Sequence, residues 1–193
     1  MTRGTPKNVL GRIGGIFAAA ALSLGCQSED PPPGPGSGGG GSVDAGGSTD
    51  AGRVCADPSL VWKTANKTNY TSYPDPNSPE CIQYNGCTWA GQFAACSAVK
   101  TEEWVSAHNI VAVFPDFDAL KLHDLCLRID QKTLVVTVLD TCADTDCSGC
   151  CTANRGSADE LVDVESYTDA RWGVPDGPIE WADLGPTTGD GCG

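Results

Sequence analysis

Hydrophobic and polar positions divide the chain into three stretches. Ile13 to Leu24 is a short apolar run rich in alanine and glycine, preceded by the basic residues Arg3, Lys7 and Arg12. It is too short for a spanning helix and has the length of a signal-peptide core. Residues 27–53 are mostly proline, glycine, serine, aspartate and alanine, with Val43 the one larger apolar residue. Such a stretch buries too little surface to offset its ordering entropy and reads as a tether, stiff in its prolines and flexible beyond them. Patterned segments begin after residue 54. Glu102 to Val113 opens on acids, carries apolar residues at 104, 105, 107, 110, 111 and 113, and predicts a helix capped by Thr101. Leu125 to Ile129 alternates as a strand, and the β-branched Thr133 to Leu139 predicts a buried one. Leu161 to Val164 and Ile179 to Trp181 are further strand candidates, and Ser166 to Trp172 reads as a helical turn stopped by Gly173. Short strands, long loops and little helix predict a small β-barrel.

Cysteine changes this picture most. The 193 residues include eleven, at 26, 55, 81, 87, 96, 126, 142, 147, 150, 151 and 192. So many are rare where reductants keep thiols free. The ten after residue 50 form an even set compatible with five disulfides: Cys55, Cys81, Cys87, Cys96, Cys126, Cys142, Cys147, Cys150, Cys151 and Cys192, with pairing left open. Adjacent Cys150 and Cys151 are expected to bond to distant partners. The odd one, Cys26, ends Leu22-Ser23-Leu24-Gly25-Cys26, which resembles a bacterial lipoprotein signal. That resemblance implies cleavage before Cys26, lipid on its sulfur and, with Gln27 following, an outer-membrane or cell-surface address. The alternative is an ordinary secretory signal. The expected organisation is a signal peptide at 1–25, a lipidated cysteine and linker at 26–53, and a disulfide-rich domain at 54–193.

Charge narrows the partners. There are 25 acidic and 12 basic residues. Loss of residues 1–25 removes three basic residues and no acid, leaving nine against 25 and a net charge of −16. That balance offers no footprint for nucleic acid. The densest motif runs from Cys142 through Cys147 to Cys150-Cys151; four thiols there match zinc chemistry as well as disulfides, and export favours disulfides. Asp144 and Asp146 lack the further oxygen ligands of a calcium site. His108 and His123 have no matched ligand nearby. No metal or cofactor is expected, and no phosphate loop or Ser-His-Asp grouping is apparent.

Three segments together resemble the double-psi β-barrel of expansins, barwin-like proteins, rare lipoprotein A and family 45 glycoside hydrolases. Gly86-Cys87-Thr88-Trp89-Ala90-Gly91 is similar to the opening Thr-Trp-Tyr-Gly strand. Cys126-Leu127-Arg128-Ile129 with Val135-Val136-Thr137-Val138-Leu139-Asp140-Thr141-Cys142 resembles the barrel core, and Asp159 to Val164 the Asp-His-Phe-Asp-Leu segment. Gly177-Pro178-Ile179-Glu180-Trp181 resembles the closing strand. The resemblance implies a mainly β, six-stranded double-psi barrel with short helices and several disulfides, its core at about residues 86–184. It also implies a polysaccharide groove lined by Thr88, Trp89, Asp140 and Asp163, with Asp163 and Asp140 as candidate catalytic carboxyls; a monomer is expected. Ala90 replaces a tyrosine of the family pattern, for which Tyr70, Tyr73 or Tyr84 are candidate substitutes. The histidine of the pattern is replaced by Glu160 or Leu161. No opening-strand aspartate stands ready as a hydrolytic base, so binding of a cellulose-like polymer or peptidoglycan without hydrolysis is the leading expectation. A glycosidase or lytic transglycosylase, and a barwin-like protein-binding or inhibitor module, are the alternatives. Each site residue also has a plainer reading: Asp140 as a turn cap, Trp89 as core, Asp163 as an exposed strand acid.

Overall fold

A computed structural model describes residues 54–84, 86–188 and 191–193. The signal segment, Cys26 and the linker lie outside the described residues. Six strands close into a barrel in the order β1-β5-β2-β4-β3-β6. They are β1 (Lys63–Tyr70), β2 (Ile110–Phe114), β3 (His123–Ile129), β4 (Lys132–Thr141), β5 (Glu160–Glu165) and β6 (Gly177–Pro186). β1 runs parallel to β5 and β2 parallel to β4, while the other four neighbouring pairs are antiparallel. This is the closed six-stranded architecture that the double-psi resemblance implies, and closure leaves no edge strand.

The interior follows from alternation. Val111, Val113, Leu125, Leu127, Val136, Val138, Val162, Val164 and Trp181 fill one buried cluster inside the barrel. Asp130 takes a positive φ of 52° at the first loop residue of the β3–β4 hairpin, where Ile129 pairs with Lys132. Gly173 ends the Ser166–Trp172 helix in the left-handed region at φ 62°, as its position in the sequence predicts.

Two segments differ from expectation. The helix predicted for 102–113 stops early. It occupies Glu102–Ala107, with Thr101 Oγ1 accepting from Trp104 N at 3.2 Å, and the chain turns into β2 at Ile110. Ile110, Val111, Ala112 and Val113 are all buried, and a strand covered on both faces accommodates such a run. Asn109 pins the junction by donating to Val135 O at 3.0 Å. Thr88-Trp89 is not the opening strand either: Gly86–Trp89 is one 3-10 turn. The six-residue Cys81–Cys87 bridge holds this stretch compact. The barrel instead opens at β1, ahead of residue 86, and that strand is hard to see because Lys-Thr-Ala-Asn-Lys-Thr-Asn-Tyr lacks an apolar face.

The ten cysteines form five bridges: Cys55–Cys126, Cys81–Cys87, Cys96–Cys192, Cys142–Cys151 and Cys147–Cys150. This is the cross-linking of an oxidising compartment. The bridges spanning 71 and 96 residues each constrain the unfolded chain by about 4–5 kcal/mol, whereas closing the three-residue Cys147–Cys150 separation is worth about 2. Cys150 and Cys151 do not reach distant strands as expected, because Gly149 in the left-handed region (φ 91°) folds the loop back on itself.

Candidate functional site

Strand register sets out the site. Thr68 of β1 lies beside Asp163 of β5, Asp163 beside Ala112 of β2, and Ala112 beside Asp140 of β4. The row Thr68–Asp163–Ala112–Asp140 crosses four strands on the outer face of the barrel. Simple alternation from Val136 and Val138 would send Asp140 inward. A register shift prevents this: Val111 pairs with Val138, but Ala112 pairs with Asp140, so β4 spends one extra residue. The bulge brings Leu139 and then Asp140 to the outside. Leu139 joins Phe93, Val105 and Ile110 in a second buried cluster, and Ala95 N donates to its carbonyl at 2.9 Å.

Both carboxyls are held and perturbed. Asp163 Oδ1 accepts from Thr68 Oγ1 at 2.8 Å. Asp140 Oδ1 accepts from Ala94 N at 3.1 Å and Thr141 N at 3.0 Å. Burial pushes Asp140 up to about 6 against these two amides. Asp163 also rises to about 6, chiefly through burial and further through the negative charges of Asp176 and Asp140, despite the Thr68 hydrogen bond. Tyr70, two residues after Thr68 on β1, turns toward the same groove. Its hydroxyl is buried without a hydrogen-bond partner among the described residues, and burial, then Asp140, Asp163 and Glu165, raises its pKa well above the ordinary value.

Tyr70, Asp140 and Asp163 line a groove of about 960 Å³. Trp89 stands on it 61% exposed, which excludes the core reading of that residue. The other wall carries Asp146, Cys147, Cys150 and Asn154. Thr88 lies outside the lining, with its carbonyl accepting from Gln92 Nε2 at 2.8 Å. The structure therefore brings Trp89, Asp140 and Asp163 together, selects Tyr70 from the three candidate tyrosines, and adds Thr68 as the hydrogen-bond partner of Asp163. The Thr-Asn-Tyr triplet at 68–70 is the signal that could have located the opening strand. Tyr73 packs in the second cluster and its hydroxyl donates to Lys100 O. Gly91 fits the same spot because a Cβ there would strike Lys100 O and the Tyr73 hydroxyl. Nothing is described of the Tyr84 side chain.

Other candidates lie elsewhere. His108 stacks on Trp104 at 3.8 Å, and His123 meets Asp183 at 3.0 Å; neither lines the groove. Glu160 is buried, accepts from Asp116 N at 3.1 Å and is pushed up to about 7 by burial. Cys142, Cys150 and Cys151 cluster closely enough for a metal, but their sulfurs are bonded in disulfides and offer no thiolate. Asp144 is held by Thr152 N at 2.9 Å and by the Thr152 hydroxyl, which keep its carboxyl below the usual range. At one end of the barrel, fully buried Lys67 places Nζ 2.6 Å from both Asp169 and Asp176. Burial pulls its pKa down, and the two carboxylates more than reverse that.

No protein-family model matches the chain, and no curated protein does. Among solved structures the chain is similar to an apo expansin from Clavibacter michiganensis, at 14% identity and a TM-score of 0.37, over 67% of this chain. The chain spans about half, 53%, of that structure's length. The barrel assignment rests on strand order and closure.

Proposed function

We propose that the domain binds a cell-wall polysaccharide in this groove and does not cleave it. The observation carrying this reading is a tryptophan left open on a groove that also presents two carboxyls and a buried phenol. An indole face covers the apolar face of a sugar ring, and carboxylates accept hydrogen bonds from sugar hydroxyls. Hydrolysis needs one carboxyl protonated and the other ionised, so environments normally push such a pair apart. Here burial pushes both carboxyls up in the same direction. Export and attachment through Cys26 to an outer membrane or cell surface, with 27–53 as the tether, belong to the same proposal.

The test is sedimentation of the protein with insoluble cellulose, chitin and peptidoglycan, with soluble sugar assayed in parallel. Binding to one polymer without sugar release is expected. Trp89→Ala should weaken that binding about tenfold, a loss of ~1.4 kcal/mol of stacking, within the range of aromatic contacts. Sugar release abolished by Asp163→Ala would replace the proposal with a glycosidase or lytic transglycosylase. Failure to sediment with any polymer would favour a protein-binding module.

A further inference from the structure

We propose that Cys147–Cys150 is a thiol–disulfide exchange site, which accepts a thiolate from an external dithiol and passes the exchange to Cys142–Cys151. Four observations carry this, whatever the groove binds. The bridge closes only Ser148 and Gly149 and lines the open groove, unlike buried Cys55–Cys126. Its short span makes it the least effective of the five as a constraint on the unfolded chain. Cys150 N donates to Cys147 Sγ at 3.2 Å, a bond that favours a thiolate on Cys147 over one elsewhere in the loop. Cys147 Sγ lies 3.8 Å from Cys151 Sγ, in contact with the neighbouring bridge.

The chemistry balances in two steps. One thiolate of the external dithiol attacks Cys150 Sγ, and the Cys147–Cys150 bond breaks with its electron pair on Cys147. The second sulfur of the dithiol then displaces Cys150. The reagent leaves as a disulfide, oxidised by two electrons, and the protein has gained two thiols. Cys147 thiolate next attacks Cys151 Sγ, a Cys147–Cys151 bond forms, and Cys142 leaves as thiolate. This step is neutral in electrons. Cys150 touches Cys151 Sγ at 3.9 Å, but the two are chain neighbours, so Cys147 is the attacking group.

The experiment is a brief pulse of dithiothreitol on the native, full-length chain, quenched with N-ethylmaleimide and mapped by mass spectrometry. Label should reach Cys150, together with Cys147 before the relay or Cys142 after it, at least tenfold faster than Cys81 and Cys87, whose bridge is also short and outward-lying. Equal labelling, or earlier labelling of Cys81–Cys87, overturns the proposal. In Cys150→Ser, Cys147 begins as a free thiol. A Cys147–Cys151 bridge with maleimide on Cys142 is expected. Label confined to Cys147, with Cys142–Cys151 intact, overturns the relay, provided the same map shows Cys55–Cys126 closed.

Discussion

Lys67→Met is expected to lower unfolding stability by about 3 kcal/mol, read from the midpoint of urea denaturation. Lys67 is fully buried, and its ammonium is 2.6 Å from Asp169 and from Asp176. Methionine keeps most of the volume and removes the charge. Asp169, only 25% exposed, would then hold a carboxylate without its counter-charge, the circumstance in which breaking a buried pair costs most. Asp176 is 53% exposed and regains water, so the effect belongs at the low end of the range for such breaks. Adding Asp169→Asn to Lys67→Met should restore much of the loss. An unchanged midpoint in Lys67→Met would show that the ion pairs contribute nothing net.

The second large effect is a dependence of stability on pH. Asp140 and Asp163 are ordinary carboxyls in the unfolded chain and titrate near 6 when folded. Between about pH 4 and pH 6 the folded state therefore holds more protons than the unfolded state. Stability is highest below that window and falls as pH rises through it. Discounted for their partial exposure to the groove, the two contribute ~2 kcal/mol each. Glu160, raised to about 7, carries the decline in the same direction slightly further. Asp163→Asn keeps an oxygen for the Thr68 hydroxyl and removes the ionisation. It should gain about 2 kcal/mol at pH 7.5 and nothing at pH 4, a rise of several degrees in Tm at the higher pH only. The same variant should bind polysaccharide less well, since stability gained at a binding groove comes at the expense of function. Equal Tm changes at both pH values would show that Asp163 is ionised at its ordinary pKa.

The parts of the fold legible in the sequence are those whose side chains carry a strong local signal. Thr133 to Leu139 announces β4 by β-branching, and Gly173 announces the end of its helix by the φ it must adopt. β1 was illegible because its inward positions include Lys67, an apolar slot filled by a charge that two distant aspartates satisfy. The helix predicted through Val113 failed because the apolar spacing from Trp104 to Val113 fits a helical stripe as well as a helix followed by a buried strand. The resemblance, and not periodicity, points to Asp163 and Asp140. Alternation alone puts Asp140 inside, and only the register shift at Val111–Ala112 turns it out. Thr68 is masked in the sequence because Thr88-Trp89 competes for the same motif.

Strand order also has a consequence for biosynthesis. β6, the last strand, lies between β1 and β3, and it pairs with β1 from Lys63–Trp181 to Lys67–Gly177. No nascent chain that ends short of β6 can close the ring. Ribosomal synthesis delivers this keystone strand after the other five, and until it arrives the earlier strands have only partial sheets to join. Closure of the ring is thus postponed, by geometry alone, until β6 has been made.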